Sequence, residues 1–102
     1  MNEILEKPND KLICVDMDGT LCEGEFWHIG NEPTPIQKNI DFVNHLYQKG
    51  AHIIIWSARA PVFYPETHGW LISHQVKFHG IMMNKGGADL YIDDKCINIK
   101  DI

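Results

Sequence analysis

Nothing in this sequence is apolar enough for a membrane or basic enough for a broad nucleic-acid surface. No hydrophobic run approaches bilayer-spanning length, and the opening stretch from Met1 to Pro8 carries Glu3 and Glu6 where a secretion signal needs positive charge, so neither insertion nor export is expected. Lysine and arginine together number nine against fourteen acidic side chains, a net charge of −5 with no basic run. That balance disfavours nucleic acid as a partner but leaves room for a local anion pocket. The three cysteines, Cys14, Cys22 and Cys96, are odd in number and lack CxxC spacing, which fits reduced thiols and a cytoplasmic location. The six histidines contain no HxH or HExxH pair, so no transition-metal site is read from them. Repeats and low-complexity segments are missing too. A chain of 102 residues builds one core, so residues 1–102 are expected to form a single domain with no second substrate domain.

What is present is organised around Lys11 to Leu21, where the apolar run Leu12-Ile13-Cys14-Val15 leads into Asp16-Met17-Asp18-Gly19-Thr20. A short apolar run closed by glycine predicts a central strand of a parallel sheet, and ligands in open α/β sheets bind beyond the carboxyl ends of strands. Alternation sends Asp16 and Asp18 to one side and Met17 back toward apolar neighbours. Two carboxylates so close repel each other unless a cation or a shared proton compensates, and a hard divalent metal is the natural remedy. The plainer reading is a strand running into an Asx-type turn.

The rest of the chain reads as alternating elements. A polar leader ends at Pro8-Asn9-Asp10, and residues 19–33 form a long loop carrying Phe26 and Trp27, which either cover a substrate or anchor the loop. A helix is predicted with Thr34 as N-cap, Pro35 at its first position, an apolar stripe of Ile36, Ile40, Val43 and Leu46 or Tyr47, and Gly50 past its end. His52 to Trp56 is a β-branched run suited to a strand covered on both faces, ending at Ser57-Ala58-Arg59. After Pro61 and Pro65 come a second helix at about 66–75, a strand at Ile81-Met82-Met83 and a fourth strand at Leu90-Tyr91-Ile92 ending at Asp93-Asp94. The tail from Lys95 to Ile102 reads as a brief extension or an edge strand. One connection conflicts with this scheme: only Asn84 to Asp89 separate the last two strands, whereas a parallel crossover takes a dozen or more residues. Either the third strand is irregular or the sheet is smaller and differently wired.

The segment Asp16-Met17-Asp18-Gly19-Thr20 resembles the DxDGT signature of the haloacid dehalogenase (HAD) superfamily, and Ser57, Lys85 and Asp93-Asp94 match its remaining motifs in order across nearly the whole chain. The chain is similar to the small capless members, capsule-biosynthesis phosphatases among them. The resemblance implies an α/β, compact Rossmann-like (HAD-like) three-layer sandwich with a small, mainly parallel sheet and no cap domain. It also implies a magnesium-dependent phosphatase acting on a small phosphorylated metabolite, sugar phosphates being one class. In that scheme Asp16 is the nucleophile that forms an aspartyl-phosphate, Asp18 protonates the leaving alcohol and then activates water, Ser57 and backbone N–H groups at Ala58 hold the phosphate, and Lys85 places a positive charge beside Asp16. Asp16, the main-chain carbonyl of Asp18 and Asp93 would hold Mg2+, with Asp94 as a further ligand or a support.

Taken singly, a serine at a strand end is usually a cap, a lone lysine is solvated, and Asp-Asp is a turn. Arg59 either reaches a second anionic group of the substrate or lies exposed at the surface. Without a cap, selectivity is expected from Phe26 and Trp27 in the flap, from Arg59, or from another subunit of a homo-oligomer. Two other functions share this inventory. A receiver-type signalling domain uses the same residue types in another chain order, its acidic pair after the first strand and its phosphorylated Asp after the third. A catalytically inactive relative serving as a binding or assembly subunit would keep the residues without the reaction.

Overall fold

Cooperation between one short parallel sheet and two helices on a single face builds the chain, whose computed structural model describes residues 2–24 and 32–102. Strand β1 (Leu12–Asp16), β4 (His52–Trp56) and β5 (Gly80–Met82) form the sheet in the order β1-β4-β5, all parallel. Leu12 to Asp16 pair with His52 to Trp56, and Ile54 to Trp56 pair with Gly80 to Met82. A separate antiparallel pair, β2 (Cys22–Glu23) and β3 (Thr34–Pro35), closes the base of the loop after β1. Helix α1 is one turn (Glu3–Glu6) capped by the Asn2 side chain, α2 spans Gln37–Gln48, and α3 spans Tyr64–Ser73 behind a 3-10 turn at Pro61–Phe63.

Both crossovers run the same way across the sheet, from β1 to β4 to β5, so right-handed connections put α2 and α3 on the same face. Burial agrees. Ile53 and Ile55 are fully buried and Val15 nearly so, packed with Ile40, Val43 and Leu46 of α2 and Trp70 and Leu71 of α3. The alternate positions point the other way, and there Leu12 is 67% exposed, Trp56 37% and Met82 52%. The expected three-layer sandwich is therefore two-layered among the described residues, with a small parallel sheet and no cap.

Several predicted boundaries shift for identifiable reasons. Thr34 and Pro35 do not open α2, because they pair with β2 and the Ile36 N–H donates to the Leu21 carbonyl at 2.8 Å. The helix starts at Gln37 without a side-chain cap. Its predicted stop is correct: Gly50 has φ +97°, and a Cβ there would fall 2.2 Å from the Asn9 carboxamide oxygen. Helix α3 begins before Pro65 rather than after it, since proline is tolerated in a first helical turn. β5 lies one residue earlier than expected. β1, expected to be central, is an edge strand, and β4 takes the centre.

The fourth strand is not formed. Leu90, Tyr91 and Ile92 are exposed and unpaired in any sheet, and the tail holds a 3-10 turn at Ile99–Asp101 instead of an edge strand. The short connection at 84–89 accounts for this, since it cannot carry a crossover to the far side of β1. No helix of the described residues is long and apolar enough to cross a membrane.

Candidate active site

The carboxyl end of β1 delivers Asp16 half-buried, after which the chain curls tightly around Met17. The Met17 carbonyl accepts from the N–H groups of Thr20, Leu21 and Cys22, and Gly19 turns with φ +88°, a left-handed value that suits glycine. Met17 is fully buried, so the alternation inferred from sequence holds through the turn. Asp16 and Asp18 face away from it.

Beside this end, the loops after β4 and β5 are stitched together. The Ser57 N–H donates to the Met82 carbonyl at 2.8 Å, the Lys85 N–H to the Ser57 carbonyl at 3.0 Å, and the Asn84 N–H to the Arg59 carbonyl at 2.9 Å. That stitching brings the Lys85 ammonium to 3.7 Å from an Asp16 carboxylate oxygen. Ser57 is fully buried and its hydroxyl accepts from the Arg59 N–H at 3.1 Å, so here it staples the turn that carries exposed Ala58.

Arg59 is not at the surface. Its side chain is 1% exposed and grips both oxygens of Asp18, Nε at 2.9 Å and Nη2 at 2.8 Å, while Nη1 donates to the Thr67 hydroxyl at 2.9 Å. A planar donor fork matched to a carboxylate fixes orientation as well as charge. Cys22 adds a weak contact, its thiol 3.5 Å from an Asp18 oxygen, and burial pushes that thiol up to about 12. Thr67 and Cys22 carry no sequence signal of their own. Only the fold places Cys22 at Asp18 and Thr67 at the arginine that holds it.

Burial raises the Asp16 carboxyl above its ordinary value, and Asp18 adds to the rise, while Lys85 and the Met17 N–H oppose it. Lys85→Met removes the largest opposing influence. The titration of the Asp16 carboxyl, followed by NMR, is therefore expected to move to higher pH in that variant. An unmoved titration would show that Lys85 does not favour the ionised form of Asp16.

Asp93 and Asp94 are not brought to Asp16. Asp93 is exposed and accepts from the N–H groups of Lys95 at 2.7 Å and Cys96 at 2.6 Å, a turn that holds its carboxyl below the usual range. Asp94 faces the exposed Lys95 ammonium. The turn still lies within electrostatic range of the site, because the Cys96 thiol, raised chiefly by its hydrogen bond to Asp93, also feels Asp16 and Lys85. Among the described residues no three His, Cys, Asp or Glu side chains gather into a metal-binding group. Of the expected donors the site keeps the Asp16 carboxylate and the Asp18 main chain, and magnesium, which retains several waters, is typically bound by one or two carboxylates together with substrate phosphate oxygens. The flap residues Phe26 and Trp27 lie outside the described residues.

No family model matches the chain, and a search of curated proteins gave no match. Among solved structures it is similar to a structural-genomics target from Vibrio cholerae, at 25% identity and a TM-score of 0.74, covering 89% of this chain and 85% of that one.

Proposed function

We propose that the chain is a phosphatase of the HAD type that hydrolyses a phosphate monoester of a small metabolite, sugar phosphates being one class. The observation that supports this best is the half-buried Asp16 carboxylate with a lysine ammonium at 3.7 Å and a second, firmly held carboxylate two residues on. A nucleophile whose charge burial opposes is reactive toward an electrophilic phosphorus, and the neighbouring cation offsets the charge of the incoming phosphate oxygens.

In the proposed reaction an Asp16 oxygen attacks phosphorus as the bond to the leaving oxygen breaks, and a proton passes from Asp18 to the departing alcohol. Water then attacks the aspartyl-phosphate, giving its proton to Asp18 and releasing phosphate and the Asp16 carboxylate. Lys85 faces the non-bridging oxygens throughout. No step is routed through magnesium. Phosphate release from an aryl phosphate, measured with magnesium and with a chelator, separates an ion-dependent reaction from one that the side chains run alone. No release under either condition would favour the second reading, an inactive binding or assembly subunit, to which the separation of Asp93 and Asp94 from Asp16 lends support.

Asp18→Asn keeps an acceptor for Arg59 but has no proton to give. Its loss is expected to be about a hundredfold or more on an alkyl phosphate and far smaller on an aryl phosphate, whose oxide leaves unaided. Equal losses on both substrates would remove Asp18 from the role of general acid.

A further inference from the structure

Lys85 is held by more than its backbone. Its Nζ lies 4.8 Å from the centroid of the Trp56 ring and 4.8 Å from that of the Tyr91 ring, so two aromatic faces contact one ammonium. The Lys85 side chain is only 14% exposed, although Trp56 and Tyr91 are themselves 37% and 46% exposed. The two rings therefore have open surface, and the lysine between them has little. The strand register explains one half of the arrangement: Trp56 stands opposite Asp16 in the β1–β4 pair, on the uncovered side of the sheet. The other half comes from the segment after Lys85, which turns back so that the Tyr91 hydroxyl donates to the Gly86 carbonyl and the ring is fixed beside the lysine.

From this geometry we infer that Trp56 and Tyr91 are positioning residues, a two-ring clamp that fixes the Lys85 ammonium at the Asp16 carboxylate. Lysine is a point charge on a flexible four-carbon stem, and placing it costs rotamer freedom that nothing in the stem itself restores. A ring face attracts the cation through its quadrupole without accepting a directed hydrogen bond, so the ammonium is located while its donors remain available to carboxylate and phosphate oxygens. A carboxylate in the same place would neutralise the charge the site uses. The clamp also gives the 86–92 segment a reason to lie where it does. The functional part of this inference rests on the phosphatase reading, and its structural part does not.

The test uses the full chain labelled at lysine for NMR, with Lys85 assigned from Lys85→Arg. Protons on the carbon next to Nζ are expected upfield of the other lysines through the ring currents of both aromatics. Tyr91→Leu and Trp56→Leu should each return them part of the way, and Tyr91→Phe, which keeps the face and loses the hydroxyl, should leave them upfield. On an aryl phosphate, kcat/KM should fall about fivefold in each leucine variant, the size expected when one cation–π contact is lost, and Tyr91→Phe should restore most of it. Lys85 protons at ordinary positions in the unmodified chain, or unmoved by both leucine substitutions, would overturn the clamp. Moved protons with unchanged kcat/KM would overturn the positioning role. An inactive chain with the upfield protons intact counts against the phosphatase reading and leaves the clamp standing.

Discussion

Asp16→Asn is expected to abolish turnover of an aryl phosphate, lowering kcat by about a thousandfold or more, the scale on which removing a covalent nucleophile acts. The amide keeps the shape of the carboxylate and its place at the end of β1, but it is not a competent nucleophile. The fold should survive. Burial raises the Asp16 carboxyl, so the folded state holds its proton more tightly than the unfolded chain. The stability this gives is fully present below the unfolded value and is lost as pH rises through the raised folded value. At neutral pH the ionised group is therefore a cost, and replacing it with a neutral amide should not lower the melting temperature. A thermal melt beside the assay settles both points. Undiminished phosphate release would sink the mechanism, and a large fall in melting temperature would show that Asp16 serves the fold.

Arg59→Leu is expected to be the most destabilising single change near the site. The guanidinium is 1% exposed and, among the described residues, makes two side-chain hydrogen bonds to Asp18 and one to Thr67, so its loss leaves the buried Thr67 hydroxyl without that partner and opens a void at the turn. Breaking a buried pair commonly costs about 3–5 kcal/mol. The Asp18 side chain is 42% exposed and water can solvate it once released, so a cost of about 2 kcal/mol is the better expectation here. For a domain of this size that lowers the melting temperature by about 8–16 °C. Arg59→Lys should not recover it, because an ammonium cannot reproduce two parallel bonds to Asp18 together with the third to Thr67. Circular dichroism melts of both variants provide the measurement. A Leu variant within about 3 °C of the parent would mean the pair contributes little.

The legible part of this protein was the part written in local chemistry. The run from Leu12 to Val15 and the β-branched run from Ile53 to Ile55 specify strands, and the period of Ile40, Val43 and Leu46 specifies the helix between them. Gly19 and Gly50 mark turns that need their left-handed conformations. The burial of Arg59 was not legible because arginine is usually exposed, and only a tertiary contact with Asp18, 41 residues away in sequence, turns it inward. The edge placement of β1 was hidden for a related reason: an apolar run is equally compatible with centre and edge, and strand order depends on which crossovers the chain is long enough to make. The six residues from Asn84 to Asp89 were the warning, and they decided against the fourth strand. Trp56 read only as the end of a strand, and its facing of Lys85 depended on register.

The uncovered side of the sheet has a calorimetric consequence. Heat capacity rises on unfolding mainly because apolar surface becomes hydrated, and Leu12, Trp56 and Met82 are already wet in the folded state. An average chain of this length would show about 1.2–1.5 kcal/mol/K. The expected value is below that range, which flattens the curve of stability against temperature and pushes cold and heat denaturation further apart for a given maximum. Differential scanning calorimetry would read it directly, and a value at or above the average would mean that this face becomes buried in solution.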